Sequence, residues 1–406
     1  MKKKMILTFI TEFAVLACGI LVYKFAAKMY PGQGFSEYAI SRRTLSFLQP
    51  LILMGLSIEI PKHVALGGKS SESFFAGGLA ILITVALAAG AILNLLPGTA
   101  SYFMFGSAEH SYLIFPISVM LFGLTLHTAC YSYFRGRLTM KPANLLQLIN
   151  LGIAPMLAFS LAKSVSGVLL ATGAAWTATS MLFLAWILHG LSIRHLPGAR
   201  IFKILLFYGT QRIPGDFGLA ALFTLPATFT AHIGGISEGG SVAFSISLLN
   251  MIGALFAPLG LILLPQMSAV VKSRDFSTLR KYNRKLLKTV ASLGTLIFVG
   301  YEVFADIFIR LYLGPNFEGV VYMSKLLMTG SLGYIIYVSM RSVVDAYYER
   351  SINARNILIT LAFFMILSSG TALFRSVAYV TGCLAFSLLF LGGLTLYEIR
   401  RILRHA

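Results

Sequence analysis

The chain has 406 residues, 57% hydrophobic and only 12% charged, about half the charged share of an average soluble protein, so no water-soluble fold could hide its apolar surface. The net charge of +19 would suggest nucleic acid in a soluble protein, but the basic residues lie between apolar runs rather than on one patch. They mark topology, and no nucleic-acid partner is expected.

A spanning helix needs about 20 mostly apolar residues, and twelve segments meet that length: 6–27, 44–61, 74–96, 112–134, 143–162, 167–190, 204–233, 242–270, 289–309, 326–348, 357–374 and 376–397. Lys2, Lys3 and Lys4 ahead of the first segment resemble a secretory signal, but the run is too long for a signal core and reads as a retained first helix. Cytoplasmic loops should carry the excess of Lys and Arg. With the amino terminus inside, the cytoplasmic ends and loops hold 23 of the 33 basic residues and the outer ones 8, Lys24 being counted at the outer end of the first helix. A wrong helix count would scramble that alternation, so both termini are expected in the cytoplasm of a cell bounded by an inner membrane. The expected fold is all-α and integral to the membrane, with an amino-terminal lobe over 1–195 and a carboxy-terminal lobe over 196–406.

Each ionisable residue inside a bilayer costs about 2.5–3.5 kcal/mol on insertion scales, so each needs a partner, a wet cavity or a use. In the first helix Thr8, Glu12, Gly19 and Tyr23 share one face, a polar stripe that should face a cavity. Glu12 there either binds a coupling proton or pairs with a nearby lysine. Arg42 and Arg43 stand at the outer start of the second helix, with Ser46 and Gln49 continuing the Arg42 face inward. Guanidinium groups suit phosphate bidentately and stay charged, so this face, with Lys24, could hold a lipid pyrophosphate; otherwise the arginines anchor the helix by snorkelling. On the seventh helix Arg212 and Asp216 are four apart with Pro214 between, either a structural ion pair or a gating hinge that frees Arg212 as a phosphate ligand. Arg341 and Asp345 repeat that spacing in the tenth helix and read as a structural ion pair.

The connection 272–288 carries Phe276, Leu279, Tyr282, Leu286 and Leu287 at helical spacing among Arg280, Lys281, Arg284, Lys285 and Lys288. It reads as a helix lying on the anionic inner leaflet or as a solvated basic linker. Ala39, Ser41 and Pro61 align without gaps on Ala243, Ser245 and Pro265, a faint repeat six helices apart of the kind a transporter built from two halves shows. Cys18, Cys130 and Cys383 lie singly in apolar stretches, and His63, His127 and His189 have no ligand spacing. No metal, disulfide or cofactor is expected.

Gly34-Phe35-Ser36-Glu37-Tyr38-Ala39, Ser41-Arg42-Arg43, Gly55-Leu56 and the run Tyr208 to Asp216 resemble polysaccharide-biosynthesis flippases of the O-antigen type. These flippases sit in the multidrug/oligosaccharidyl-lipid/polysaccharide exporter superfamily, which also holds the multidrug antiporters. Leu263-Leu264-Pro265-Gln266-Met267-Ser268, and Arg341 with Asp345, are similar too. The resemblance implies two six-helix lobes around a central cavity and alternating access on a lipid-linked sugar, with membrane lipids around it and polysaccharide polymerases or glycosyltransferases as neighbours. The chain lacks the two extra helices of the fourteen-helix peptidoglycan-precursor branch. A cation-coupled multidrug antiporter of the same fold is the alternative, and a membrane polymerase or ligase would need a larger outer segment than any connection here. No phosphate-binding GxxxxGK[ST] loop is present, so a proton or sodium gradient is the expected energy source.

Overall fold

A computed structural model of the chain describes residues 2–191, 197–272, 276–348 and 350–405, and their side chains outside 2–6, 68–70, 257–266, 268–272, 276–279 and 405. Contacts divide the chain into two compact units, Met1–Phe217 and Gly218–Ala406.

The first unit contains α1 (Lys2–Met29), α2 (Gln33–Leu53), α3 (Leu56–Ala65), α4 (Gly68–Leu95) and α5 (Pro97–Phe105), then a 3-10 turn Ala108–Leu113. It continues with α6 (Ile114–Gly136), α7 (Met140–Gln147), a π-helical turn Leu148–Ile153, α8 (Ala154–Leu161), α9 (Val165–His189) and α10 (Ala199–Thr210). The division falls in the first turns of α11 (Ile213–Gly234). Beyond it lie α12 (Ile236–Lys272), α13 (Phe276–Tyr312), α14 (Glu318–Met328), α15 (Ser331–Tyr347), α16 (Ile352–Ser368), α17 (Thr371–Phe374) and α18 (Val377–His405). Among the described residues, ten helical segments are long and apolar enough to cross a membrane, or twelve when the bent pairs α2 with α3 and α14 with α15 each count as one span.

Four departures from the expected segments have local causes. The second span starts at Gln33 rather than 44 and breaks at Met54 and Gly55, both left-handed (φ 46° and 71°), which turns α3 by 48° from α2. The segment expected at 143–162 contains the π-helical turn because Pro155 offers no N–H to the carbonyl four residues back, and the extra residue per turn absorbs the clash of its ring. The expected seventh helix is two: α10 ends at Thr210, and α11 begins at Ile213 with Pro214 in its first turn, where a missing N–H costs nothing. The basic stretch expected as a separate surface helix or linker is neither, because its described part runs without interruption into the ninth span as α13. Residues 273–275 and the side chains of Phe276 and Leu279 lie outside the described ones, as do the side chains of Leu263, Leu264, Pro265, Gln266 and Ser268.

At the centre of the first unit is α6, with 78% of its apolar window buried against its neighbours, α3, α4 and α9 among them. Its seam with α9 is a backbone-to-backbone approach, since a Cβ on Gly123 would stand 2.8 Å from the Gly173 carbonyl oxygen and one on Gly173 would stand 2.6 Å from the Met120 nitrogen. Trp176 and Leu169 of α9 fill the space beside that seam. In the second unit α15 takes the corresponding place, packed on α12 and α18.

Candidate functional site

The polar stripe of α1 meets two different neighbours. Near the amino-terminal end, Thr8 Oγ1 accepts from Asn144 Nδ2 at 3.3 Å, and both carboxylate oxygens of Glu12 accept from Gln147 Nε2, at 3.2 and 3.3 Å. Tyr131 and Arg135 of α6 are the further polar neighbours of that carboxylate. At the other end of the helix Tyr23 packs edge-on against Phe35 and Tyr38 of α2. Beyond α1, Tyr30 donates its hydroxyl to the Ala162 carbonyl at 2.8 Å, and burial holds its phenol above the usual 10.0. Glu12 itself stays exposed, and Gly19 has open space where a side chain would be.

Behind Glu12 the polar groups continue inward. Asn150, in the π-helical turn, donates Nδ2 to Ser180 Oγ of α9 at 3.0 Å and lies 3.2 Å from His127 Nδ1 of α6, while its carbonyl accepts from the Trp176 indole. His127 also stacks on Tyr131 with ring centroids 5.8 Å apart. One buried acceptor here, Asn150 Oδ1, has no hydrogen-bond partner among the described residues, and Gln147 faces the His127 ring. Glu12 is thus the outermost member of an array of oxygen acceptors drawn from α1, α7, the π-helical turn and α9. Asn144, Gln147 and Asn150 did not stand out in the sequence, although their spacing of three, inside an apolar span, was a readable signal of one polar face.

The cationic face sits on α2. Because that helix begins at Gln33, Arg42 and Arg43 are not at its outer start as expected; they lie nine and ten residues along it, about 14 Å at 1.5 Å per residue. Arg43 is buried (8% exposed), whereas Arg42 is half-buried. Ser46 is exposed with its hydroxyl donating to the Arg42 carbonyl at 3.1 Å, and Gln49, half-buried, follows on the Arg42 face. Lys24 is exposed on α1.

What occupies the amino-terminal end of α2 is Glu37, 6% exposed, a residue the sequence reading left without a role. Its Oε1 receives the Tyr112 hydroxyl at 2.7 Å and Gln33 Nε2 at 3.2 Å, and lies 3.3 Å from His110 Nδ1. This carboxylate ties the first turn of α2 to the 3-10 turn that precedes α6.

Arg212 is exposed in the turn between α10 and α11, beside the break in the second span. A Cβ on Gly55 would come within 3.2 Å of Arg212 Cβ and 2.8 Å of the Gly209 oxygen, so the two helix breaks touch through glycine. Asp216, also exposed, donates its backbone N–H to the Arg212 carbonyl at 3.2 Å and occupies the first turn of α11, where an acidic side chain suits the helix dipole. In the second unit Asn353 Nδ2 links the Arg341 carbonyl (2.9 Å) to Asp345 Oδ1 (2.8 Å), joining α16 to α15. Among the described residues no three His, Cys, Asp or Glu side chains group as a metal site.

No protein-family model and no curated protein matches the chain. Solved structures do. One is the lipid II flippase MurJ in an inward closed conformation (TM-score 0.69, 14% identity, 97% of this chain and 87% of that one). A second is an inward-facing multidrug resistance MATE family transporter of the MOP superfamily (0.76, 12%, 97% and 95%). A third is a MOP superfamily transporter from Pyrococcus furiosus described as having a binding pocket of reverse polarity (0.70, 12%, 99% and 96%). The chain has the helical fold of MOP-superfamily transporters.

Proposed function

We propose that this chain is a flippase that moves a polyprenyl-pyrophosphate-linked oligosaccharide, a precursor of surface polysaccharide, across the inner membrane by alternating access. The observation that supports it is the position of Arg42 and Arg43 nine and ten residues into α2, part of a candidate span, with Lys24 on the neighbouring α1. Charge inside a span is costly without a use. The guanidinium of Arg42, with Ser46, Gln49 and Lys24 beside or below it, suits an anionic pyrophosphate crossing while its prenyl tail stays in lipid. Arg43 supports that face from within the unit. Arg212 adds a second cation where the two helix breaks meet, and Pro214 and Asp216 at the start of α11 are the elements about which that junction would open. Arg341 and Asp345, tied through Asn353, serve structure. The reading has both termini in the cytoplasm and involves no chemical reaction at the sugar, with glycosyltransferases and a polymerase acting before and after transport.

A second reading, a cation-coupled antiporter of the same fold, is favoured by Glu12, bonded to Gln147, with the buried acceptor Asn150 Oδ1 behind it. In the flippase reading the same group carries the coupling proton or sodium ion. Accordingly, Glu12→Gln should abolish the dependence of transport on the ion gradient, and unchanged gradient dependence would remove Glu12 as the carrier.

The substrate assignment is tested by Arg42→Ala and by the double variant with Arg43→Ala, measured as surface polysaccharide and as lipid-linked sugar accumulating on the cytoplasmic face. Export is expected to fall at least tenfold, the loss of about one charge-assisted hydrogen bond, with membrane insertion unchanged. Because Arg43 is buried, Arg42→Ala alone decides the matter if the double variant does not insert. Normal export by Arg42→Ala, or loss of organic-cation efflux instead of sugar export, would replace this reading by the antiporter.

A further inference from the structure

The second unit carries a basic surface that the transport reading does not use. On α13 the apolar stretch from Thr289 to Tyr312 has 24 residues, about 36 Å of helix, enough to cross a hydrocarbon core of about 30 Å. The preceding residues 280–288 therefore extend about 13 Å further, to the level of the headgroups. There Arg280, Lys281, Arg284, Lys285 and Lys288 are all exposed and fall within about 140° of arc, while Asn283 and Val290 are buried on the opposite side. The end of α18 repeats the arrangement, with Arg400, Arg401 and Arg404 exposed together and Ile399 and Ile402 buried behind them.

The two ends are one surface. Arg280 Nη2 donates to the Leu403 carbonyl at 3.2 Å, which also satisfies an orphan acceptor in the last turn of α18. The acidic side chain of these two stretches, Glu398, is turned inward (1% exposed), where it accepts from Arg355 Nη2 at 2.6 Å and from the Tyr348 hydroxyl at 3.0 Å. Among the described residues of these two stretches it therefore offers no counter-charge to the outer cations. Two exposed tyrosines complete the surface, Tyr282 and Tyr397, the latter on the same face as the three arginines. Tyrosine beside a cationic cluster at the end of a span is the composition of a membrane-water interface, which a groove for a soluble acidic partner has no need of.

We propose that these faces of α13 and α18 form a docking surface for acidic phospholipids of the adjoining leaflet, binding phosphate headgroups between the two helix ends. The surface explains why α13 runs unbroken through the interface. A rigid continuation of the span holds its cations at a fixed height over the headgroups, whereas a loop would let them withdraw into water. Bound lipid would bridge α13 to α18 where Arg280 already links them, and so stabilise the second unit.

The full chain, purified in a neutral detergent, is tested with phosphatidylcholine alone and with phosphatidylcholine containing phosphatidylglycerol. The readouts are lipid retained in native mass spectrometry and the midpoint of thermal unfolding. The wild type is expected to retain phosphatidylglycerol selectively, to melt higher in its presence, and to lose both effects at high salt. Each neutralised cation is expected to weaken retention about fivefold. Arg280→Gln with Lys281→Gln, Arg284→Gln, Lys285→Gln and Lys288→Gln should therefore abolish selectivity. Arg400→Gln with Arg401→Gln and Arg404→Gln leaves α13 untouched and decides the matter if the first variant fails to insert. Arg200→Gln with Lys203→Gln, on exposed positions of α10 in the first unit, should retain phosphatidylglycerol as the wild type does. A wild type that does not distinguish the two lipids would overturn the proposal, and so would an α10 variant that loses as much per charge as the α18 variant. Neither outcome bears on sugar export, so this surface and the transport reading stand or fall separately.

Discussion

Replacing Gly209 by alanine tests the contact between the two helix breaks of the first unit. The added Cβ would stand 2.3 Å from the Met54 carbonyl oxygen, against 3.4–4 Å for an ordinary contact, so a retreat of about 1 Å is required. The obstructing atom is backbone, held in a left-handed turn with the neighbouring Gly55, and no rotamer change can move it. Overpacking of this kind costs about 1–3 kcal/mol, which for a unit of this size lowers the melting midpoint by about 2–4 °C per kcal/mol. Thermal unfolding of the purified chain should therefore show a fall of about 2–12 °C for Gly209→Ala. Gly300→Ala is the control, since the site has nothing within 4 Å and lies inside α13, where alanine gains up to about 1 kcal/mol in helix propensity. If Gly209→Ala melts with the wild type while Gly300→Ala behaves as described, the two breaks do not bear on each other and the argument fails.

Glu37→Ala strips the shared acceptor from Tyr112 and Gln33 and the carboxylate beside His110, and should cost about 2–4 kcal/mol, read as a lower melting midpoint and faster proteolysis around residues 106–113. Glu37→Gln keeps one acceptor oxygen and should recover part of that loss. Trp176→Phe leaves the Asn150 carbonyl without its indole donor and should destabilise the first unit by about 1–2 kcal/mol; a neutral result would mean the carbonyl is satisfied otherwise. Burial first, and then its hydrogen bond to Glu398, hold the Tyr348 phenol above the usual 10.0. The neutral phenol is the form the fold favours, so this contribution to stability is complete below about pH 10 and is lost as pH rises through the higher folded value. Alkaline difference spectra of the wild type against Tyr348→Phe should show one late-titrating phenol, and a difference at the ordinary value would exclude the Glu398 hydrogen bond.

Hydrophobic run length carried most of the fold, because a lipid-facing helix must be apolar along its whole length whatever it packs against. It misplaced the start of the second span for a physical reason. Gln33, Ser36 and Glu37 lower the local hydropathy, yet they are accommodated: Ser36 and Glu37 are buried, and one carboxylate oxygen has two donors with the His110 ring 3.3 Å away. No window over a single segment can see a donor that comes from Tyr112. The same limit hid the breaks at Met54 and at Gln211, which meet through a glycine contact between segments distant in sequence, while Pro214, the visible suspect, sits in a first turn. In the candidate site Glu12, Arg42 and Arg212 were readable as charges in apolar surroundings. What Glu12 touches was not, because a shared polar face over Asn144, Gln147 and Asn150 does not say which distant helix it meets.

The burial of α6 bears on how the chain is made. Its His127 finds Asn150 only after the π-helical turn exists, and that amide is held by Ser180 and Trp176 of α9. Ribosomal synthesis delivers α6 to the bilayer before either partner has been translated. The hydroxyls of Ser118, Thr125 and Thr128 are satisfied within the helix, but the imidazole must wait, so maturation of the first unit is expected to be gated by the arrival of α9. A chain truncated before Gly173 would leave α6 a substrate for membrane proteases.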